Sequence, residues 1–166
     1  ECYDNEDDLL IGWANFIHSL DPDILSGYNI FGFDDSFMFR RAIETNCVND
    51  FLMLSRNKGE ICAEKDYQTQ KLKIKESSIV IASGQHDLQY IKMPGRIQID
   101  LYNYFRRSVN LEQYKLDYVA GYFIGDGVNN VETDDETGMS KIYSKNLDGL
   151  REQDFVCFEE IEHTTD

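Results

Sequence analysis

The chain has 166 residues, of which 42% are hydrophobic and 13% aromatic, enough for one domain with a real core and too apolar for a disordered segment. Its formal net charge of −15 excludes any general electrostatic attraction for nucleic acid or an anionic membrane, so a meeting with DNA would need metal ions or basic neighbours. The acidity lies at the ends, with five acids and no base in the first eight residues and 12 acids against 3 bases from Asp126 to Asp166.

The predicted elements follow in chain order. "EDDLLIGWANFIHSL" spaces Leu9, Leu10, Trp13, Phe16, Ile17 and Leu20 at the helical period, with acids in the first turn. Pro22 ends that helix, and Ile24 to Asn29 reads as a short buried strand. "DDSFMFRRAIETN" predicts a second helix, with Asp34 or Asp35 as its N-cap and Arg40 and Arg41 on its outer face. "VNDFLMLSRN" continues as a short helix. From Glu60 to Tyr90 apolar and polar residues alternate between Ser and Gly turns, which predicts a β-hairpin or a small antiparallel addition. "MPGRIQIDLYNYFRRSVN" predicts a strand at Ile97 to Leu101 running into a helix through Phe105. "YKLDYVAGYFIG" predicts a helix with Leu116, Val119, Ala120 and Phe123 on one face. "GDGVNNVETDDETGMS" has no periodicity and reads as a loop, and "DFVCFEEI" as one late strand. Strands alternating with helices predict an α/β fold.

The four cysteines are far apart, without C-x-x-C or a His/Cys cluster at zinc spacing, so they read as reduced thiols. No apolar run has the length of a membrane span and no signal peptide opens the chain. The chain starts at Glu1 within a polar run, without an initiator Met, which suggests a piece of something longer.

"SGYNIFGFDDSF", Ser26 to Phe37, sets two carboxylates immediately after a Gly flanked by two Phe. Either Asp34 and Asp35 cap a helix and Phe33 is core, or the turn presents a carboxylate and an aromatic ring to a ligand. "DPDILSGYNIFGFDDSFMFRRA" resembles the second exonuclease motif of family B DNA polymerases: D-P-D, an apolar strand, G-Y-N, then F-D. "MPGRIQIDLYNYFRR" resembles the family's G-R-x-x-x-D-L segment, and "LEQYKLDYVAGYFIGD" its Y-x-L-x-x-V-A-x-x-F-L-G helix. The three stand in the family's order and cover roughly Leu9 to Asp126, with an insertion-like gap around Glu60 to Tyr90. The style is closest to polymerases of large DNA viruses.

The resemblance implies an RNase H-like fold, here incomplete, with a β-hairpin-like insertion. Residues 1–126 would be a partial 3′–5′ exonuclease domain with the insertion at about 60–90. Residues 127–166 would be an acidic loop and tail leading towards the rest of it. In the family, two divalent metals, Mg²⁺ or Mn²⁺, sit between carboxylates from three motifs, because each ion must be held while water is activated and the leaving oxygen stabilised. Carried onto this chain, Asp34 is the catalytic, metal-ligating acid of the second motif. Asn29 contacts the single-stranded primer end and Phe33 stacks on its bases, an interaction that tolerates any sequence. Gly32 lets the backbone turn, and Asp35 is left as the plain helix cap.

The first and third motifs have look-alikes, and both are rejected. Asp4-Asn5-Glu6 has no strand before it. Tyr122 to Asp126 lies inside the segment resembling the helix upstream of the third motif. Asp134-Asp135-Glu136 sits in aperiodic sequence. His18, His86 and His163 have no partner at metal or triad spacing. "GDGVNN" lacks the Lys-Ser/Thr of a phosphate loop. Arg106 and Arg107 read as a solvated helix face in preference to a phosphate contact.

The function implied is a fragment of a DNA-directed DNA polymerase that contributes to proofreading, by hydrolysis of the primer 3′-terminal phosphodiester. The fragment alone would be inactive. Its partners would be the single-stranded 3′ end of a DNA primer–template and the remainder of the polymerase, with no membrane, inside the cell at the site of DNA replication (host nucleus or viral factory). The alternative is a non-catalytic RNase H-like structural or partner-binding module.

Overall fold

Acids favour the positive end of a helix, and α1 (Glu6–Leu20) opens with Glu6, Asp7 and Asp8 in its first turn. In the computed structural model, which describes residues 2–81, 84–146 and 148–158, α1 ends at Asp21. Asp21 takes the left-handed conformation (φ 44°) and returns its N–H to the Ile17 carbonyl, and Pro22 then blocks continuation.

The chain divides into two compact units, 1–116 and 117–166. The first has the α/β fold that the alternating pattern predicts. Strand β1 (Ile24–Gly27) pairs in parallel with β6 (Ile97–Asp100), Ile24 opposite Ile97 and Gly27 opposite Asp100. A parallel pair needs a crossover. Here it contains helices α2 (Asp35–Glu44) and α3 (Val48–Phe51), the short pair β2 (Glu64–Lys65) and β3 (Leu72–Lys73), and the hairpin β4 (Lys75–Ile81) and β5 (Gly84–Tyr90). Helix α4 (Leu101–Ser108) follows β6 directly. The alternating segment is thus an antiparallel addition, as its pattern predicts. The larger sheet of an RNase H-like fold is not among the described residues; β1 and β6 form a sheet of two.

The core gathers Leu10, Ala14 and Ile17 of α1, Phe39 and Ala42 of α2, Phe51 of α3, and Leu52, Leu54, Ile74, Ile91 and Met93. Trp13 lies against Phe51 with ring centroids 5.8 Å apart. Each fully buried side chain of this size contributes about 1.5–3 kcal/mol. Arg96 seals the edge: its guanidinium donates to the Asp21 carboxylate (2.8 Å), the Pro22 carbonyl (2.8 Å) and the Leu54 carbonyl (3.3 Å). Arg41, read as outer-face, instead ties α2 to the start of α1 through Glu6 and also pairs with Glu44.

Several boundaries and patterns differ from expectation. β1 stops at Gly27 because Asn29 turns into the left-handed region (φ 61°). It is not the buried strand expected: Ile24 and Ser26 are exposed and Leu25 and Gly27 half-buried, since the strand has a neighbour on one edge only among the described residues. The stretch read as an aperiodic loop forms a second hairpin, β7 (Val128–Thr133) with β8 (Ser140–Ser144). All of β7 is exposed, so no buried face imposed an alternation to be read. In α5 (Leu116–Ile124) Val119 is buried while Leu116 and Phe123 are exposed, so the predicted apolar face is only partly covered. Residues 154–158 of "DFVCFEEI" carry no regular structure; the remainder of that stretch and His163 lie outside the described residues. The described cysteines are free thiols, and no described helix is long and apolar enough to cross a membrane.

Candidate functional site

The turn after β1 is held from outside. Asp100, at the end of β6 and 5% exposed, accepts from the backbone N–H of Asn29 (2.8 Å) and Phe31 (3.1 Å). The same carboxylate caps α4 through Tyr102 N–H (3.0 Å) and accepts from Asn103 Nδ2 (3.1 Å). One side chain therefore starts a helix and clamps a loop some seventy residues away in sequence. Two glycines make the close turn possible. A Cβ at Gly27 would meet Ile30 Cγ2 at 2.4 Å, and one at Gly32 would meet Asn29 Oδ1 at 2.3 Å. Tyr28 donates to the Tyr114 carbonyl (2.6 Å), and Phe31 packs on Tyr90 of β5, ring centroids 4.9 Å apart.

Ile30–Asp34 is one π-helical turn that runs without a break into α2, with Asp35 N–H bonded to the Ile30 carbonyl. The wider turn inserts a residue and re-aims the side chains that follow, a feature common at functional sites. It also explains why both cap readings fail. α2 has no free start to cap, and Asp34 has helical dihedrals (φ −61°, ψ −50°) and makes no side-chain cap bond. Asp35, read as the plain cap, is buried and accepts from Ile91 N–H (3.0 Å) and Gln98 Nε2 (3.5 Å), which ties α2 to the end of the hairpin. Burial pushes its carboxyl up to about 6, against the bonds from Ile91 and Gln98, with Asp34 and Asp100 adding to the rise.

Of the three predicted site residues, Asn29 and Asp34 are half-buried and Phe33 is 54% exposed. Phe33 stacks on Phe37 of α2, ring centroids 5.5 Å apart and planes 14° from parallel. A model described as "DNA polymerase family B, exonuclease domain" matches residues 1–119. The chain belongs to that family.

The family's exonuclease domain is carried here by a chain 44% identical over 160 residues to a DNA polymerase of Phaeocystis pouchetii virus, covering 96% of this chain and 15% of that protein. It is 38% identical over 132 residues to a DNA polymerase of Pyramimonas orientalis virus, covering 79% of this chain and 10% of that protein. It is 33% identical over 132 residues to a DNA polymerase delta catalytic subunit of Mesocricetus auratus, covering 80% and 11%. The chain thus spans roughly a tenth to a seventh of the curated relatives it matches.

In this family B exonuclease segment, Glu6, Asp126 and Asp134 of the rejected look-alikes have structural partners. Glu6 is held below the usual carboxylate range by its bond to Arg41. Asp4 precedes α1, whose N-cap is Asn5. Asp126 accepts from Gly127 N–H (2.7 Å), and Asp134 shapes the β7–β8 turn by accepting from Glu136 N–H (2.9 Å). Among the described residues no three His, Cys, Asp or Glu side chains are grouped to hold a metal. His18 donates to the Met53 carbonyl. Arg106, read as solvated, is half-buried between His86 Nδ1 (3.3 Å), the Tyr102 hydroxyl (3.1 Å) and the rings of Tyr102 and Tyr114. Arg107 is exposed. The roles of Asp35 and Asp100 were missed from the sequence. The position of Asp100 in "GRIQIDL", between a strand and a helix, is the signal the sequence carries for it.

Proposed function

We propose that this chain is part of the RNase H-like proofreading domain of a large-DNA-virus family B DNA polymerase, acting at the site of DNA replication on the single-stranded 3′ end of a primer. Asp34 is its second-motif catalytic acid, and Asn29 and Phe33 bind the unpaired strand. The observation that carries this is the turn itself. It leaves a half-buried Asp34 without a cap bond, directly after the exposed Phe33 in sequence, in a chain of this family.

The donor chemistry fits one position of a Mg²⁺ or Mn²⁺ site, since hard cations take carboxylate oxygens. Residues outside this chain would complete the set, since among the described residues no three His, Cys, Asp or Glu side chains are grouped to hold a metal. When bound, the ions supply an activated water and stabilise the leaving oxygen of the terminal phosphodiester. Within this chain Asp100 holds the turn, Asp34 offers the ligand, and Phe33 gives the last base a surface to stack on. The described residues alone offer no full ligand set, and the charge of −15 opposes phosphates, so the isolated segment is expected to be inactive and to bind DNA poorly.

The test is Asp34→Asn in the full-length polymerase, assayed on a primer with a mispaired 3′ end. A ligand role predicts loss of excision, intact polymerisation, and stability within about 0.5 kcal/mol, the usual range for a surface change that breaks no bond. Excision at close to the wild-type rate would remove Asp34 from the site.

A further inference from the structure

We propose that the site continues along the first two turns of α2 as a track for the unpaired strand, with Phe37 positioning the Phe33 ring and Arg40 binding a backbone phosphate. This rests on the reading of Asp34 and Phe33 given above and adds two residues to it.

Phe33 and Phe37 are 54% and 43% exposed, an unusual place for two large apolar rings. Their centroid separation of 5.5 Å leaves no space for a base between them, because it is that of two rings already in contact. The base therefore stacks on the outer face of Phe33, with Phe37 behind it. A ring already fixed by a neighbour loses less freedom when a ligand lands on it.

Arg40 lies three residues beyond Phe37, on the same side of the helix. Its Nε donates to the Ser36 carbonyl (3.2 Å), which draws the guanidinium back over the first turn of the helix. Arg41 is engaged by Glu6 and Glu44, whereas Arg40 is exposed and makes no ion pair among the described residues. An aromatic stack followed by an exposed guanidinium is complementary to a base followed by a phosphate. On a chain with so many carboxylates, such a local cation decides where a phosphate settles.

The experiment uses the full-length polymerase and a single-stranded oligodeoxynucleotide, with KM and kcat for 3′ excision measured across a KCl series and melting temperature recorded for each variant. Phe37→Ala should raise KM by about 3–10-fold, the freedom regained by one ring, with kcat much less affected. Phe37→Tyr should restore KM, since it keeps the ring. Arg40→Gln should lower the slope of log KM against log salt by about 0.7, the loss of one phosphate contact to a single strand. A merely structural role would move the melting temperature and leave the salt slope alone. If Asp34→Asn abolishes excision while KM and the salt slope are unchanged in the Phe37 and Arg40 variants, the track is refuted and the site stands. If Phe37→Tyr fails to restore KM, stacking is refuted for Phe37. If Asp34→Asn excises normally, the underlying site falls and the track with it. Should Phe37→Ala unfold, Phe37→Tyr and Arg40→Gln, both at exposed positions, decide: an unchanged Arg40→Gln slope overturns the proposal.

Discussion

Asp100→Ala removes an acceptor that serves four donors: two in the turn and two in α4. Loss of the α4 cap alone costs about 1 kcal/mol. The Asn29 and Phe31 N–H groups are half-buried, so each orphaned donor adds about 1 kcal/mol, the low end for a buried unsatisfied group. The total is about 3 kcal/mol, or roughly 6–12 °C in melting temperature for a chain of this size. Two further variants separate the two duties. Asp100→Ser keeps a helix cap but is too short to reach both turn N–H groups, so it should recover only about 1 kcal/mol. Asp100→Asn keeps one acceptor oxygen in place of two and should fall between wild type and Ala. Thermal and urea unfolding give the stabilities, and amide hydrogen exchange at Asn29 and Phe31 reports the turn directly. If Ser matches wild type in both stability and exchange, Asp100 is a cap and nothing more, and the tether described here is wrong.

Two further outcomes follow from the buried charges. The Asp35 carboxyl, raised to about 6, favours the folded state fully below its ordinary value of 3.8, and that contribution is lost as pH rises through 6. In metal-free buffer the stability gained by Asp35→Asn should therefore be about 3 kcal/mol greater at pH 7 than below pH 4, and an equal effect at both pH values would contradict the burial argument. Arg96→Lys keeps the charge but cannot reach Asp21, Pro22 and Leu54 together, so it should lower stability by about 1–3 kcal/mol through orphaned carbonyls; an unchanged melting temperature would show that charge alone suffices there.

The elements with a strong local period were legible before any coordinates. The helical spacing of Leu10, Trp13 and Ile17, the apolar strand at Ile24, the strand-to-helix passage at Asp100 and the alternating hairpin segment all formed where their patterns placed them. That Asn29, Phe33 and Asp34 share one turn was legible too. What escaped was everything set by contacts distant in sequence. Asp35 has the local look of a cap, yet its partners, Ile91 and Gln98, are more than fifty residues away. Arg41 looks like a surface residue until Glu6 is brought to it. The π-helical turn has no residue signature of its own, since it follows from Asp100 clamping Asn29 and Phe31. The β7–β8 hairpin is exposed along the whole of β7, so it left no alternation to read.

The parallel pairing of β1 with β6 has a kinetic side. It joins position 24 to position 97, whereas each hairpin closes over a few residues. Chain-closure entropy grows as about (3/2)RT ln n, so bringing these strands together costs about 3 kcal/mol more than closing a hairpin loop. The β4–β5 hairpin lies inside that span and draws it in once folded. The turn bearing Asp34 has local bonds of its own, but its clamp, the Asp100 carboxylate on β6, arrives only when the two strands meet. The candidate site is therefore fully held only after a long-range closure of the first unit, and a chain that is helical but not yet closed presents the turn without its clamp.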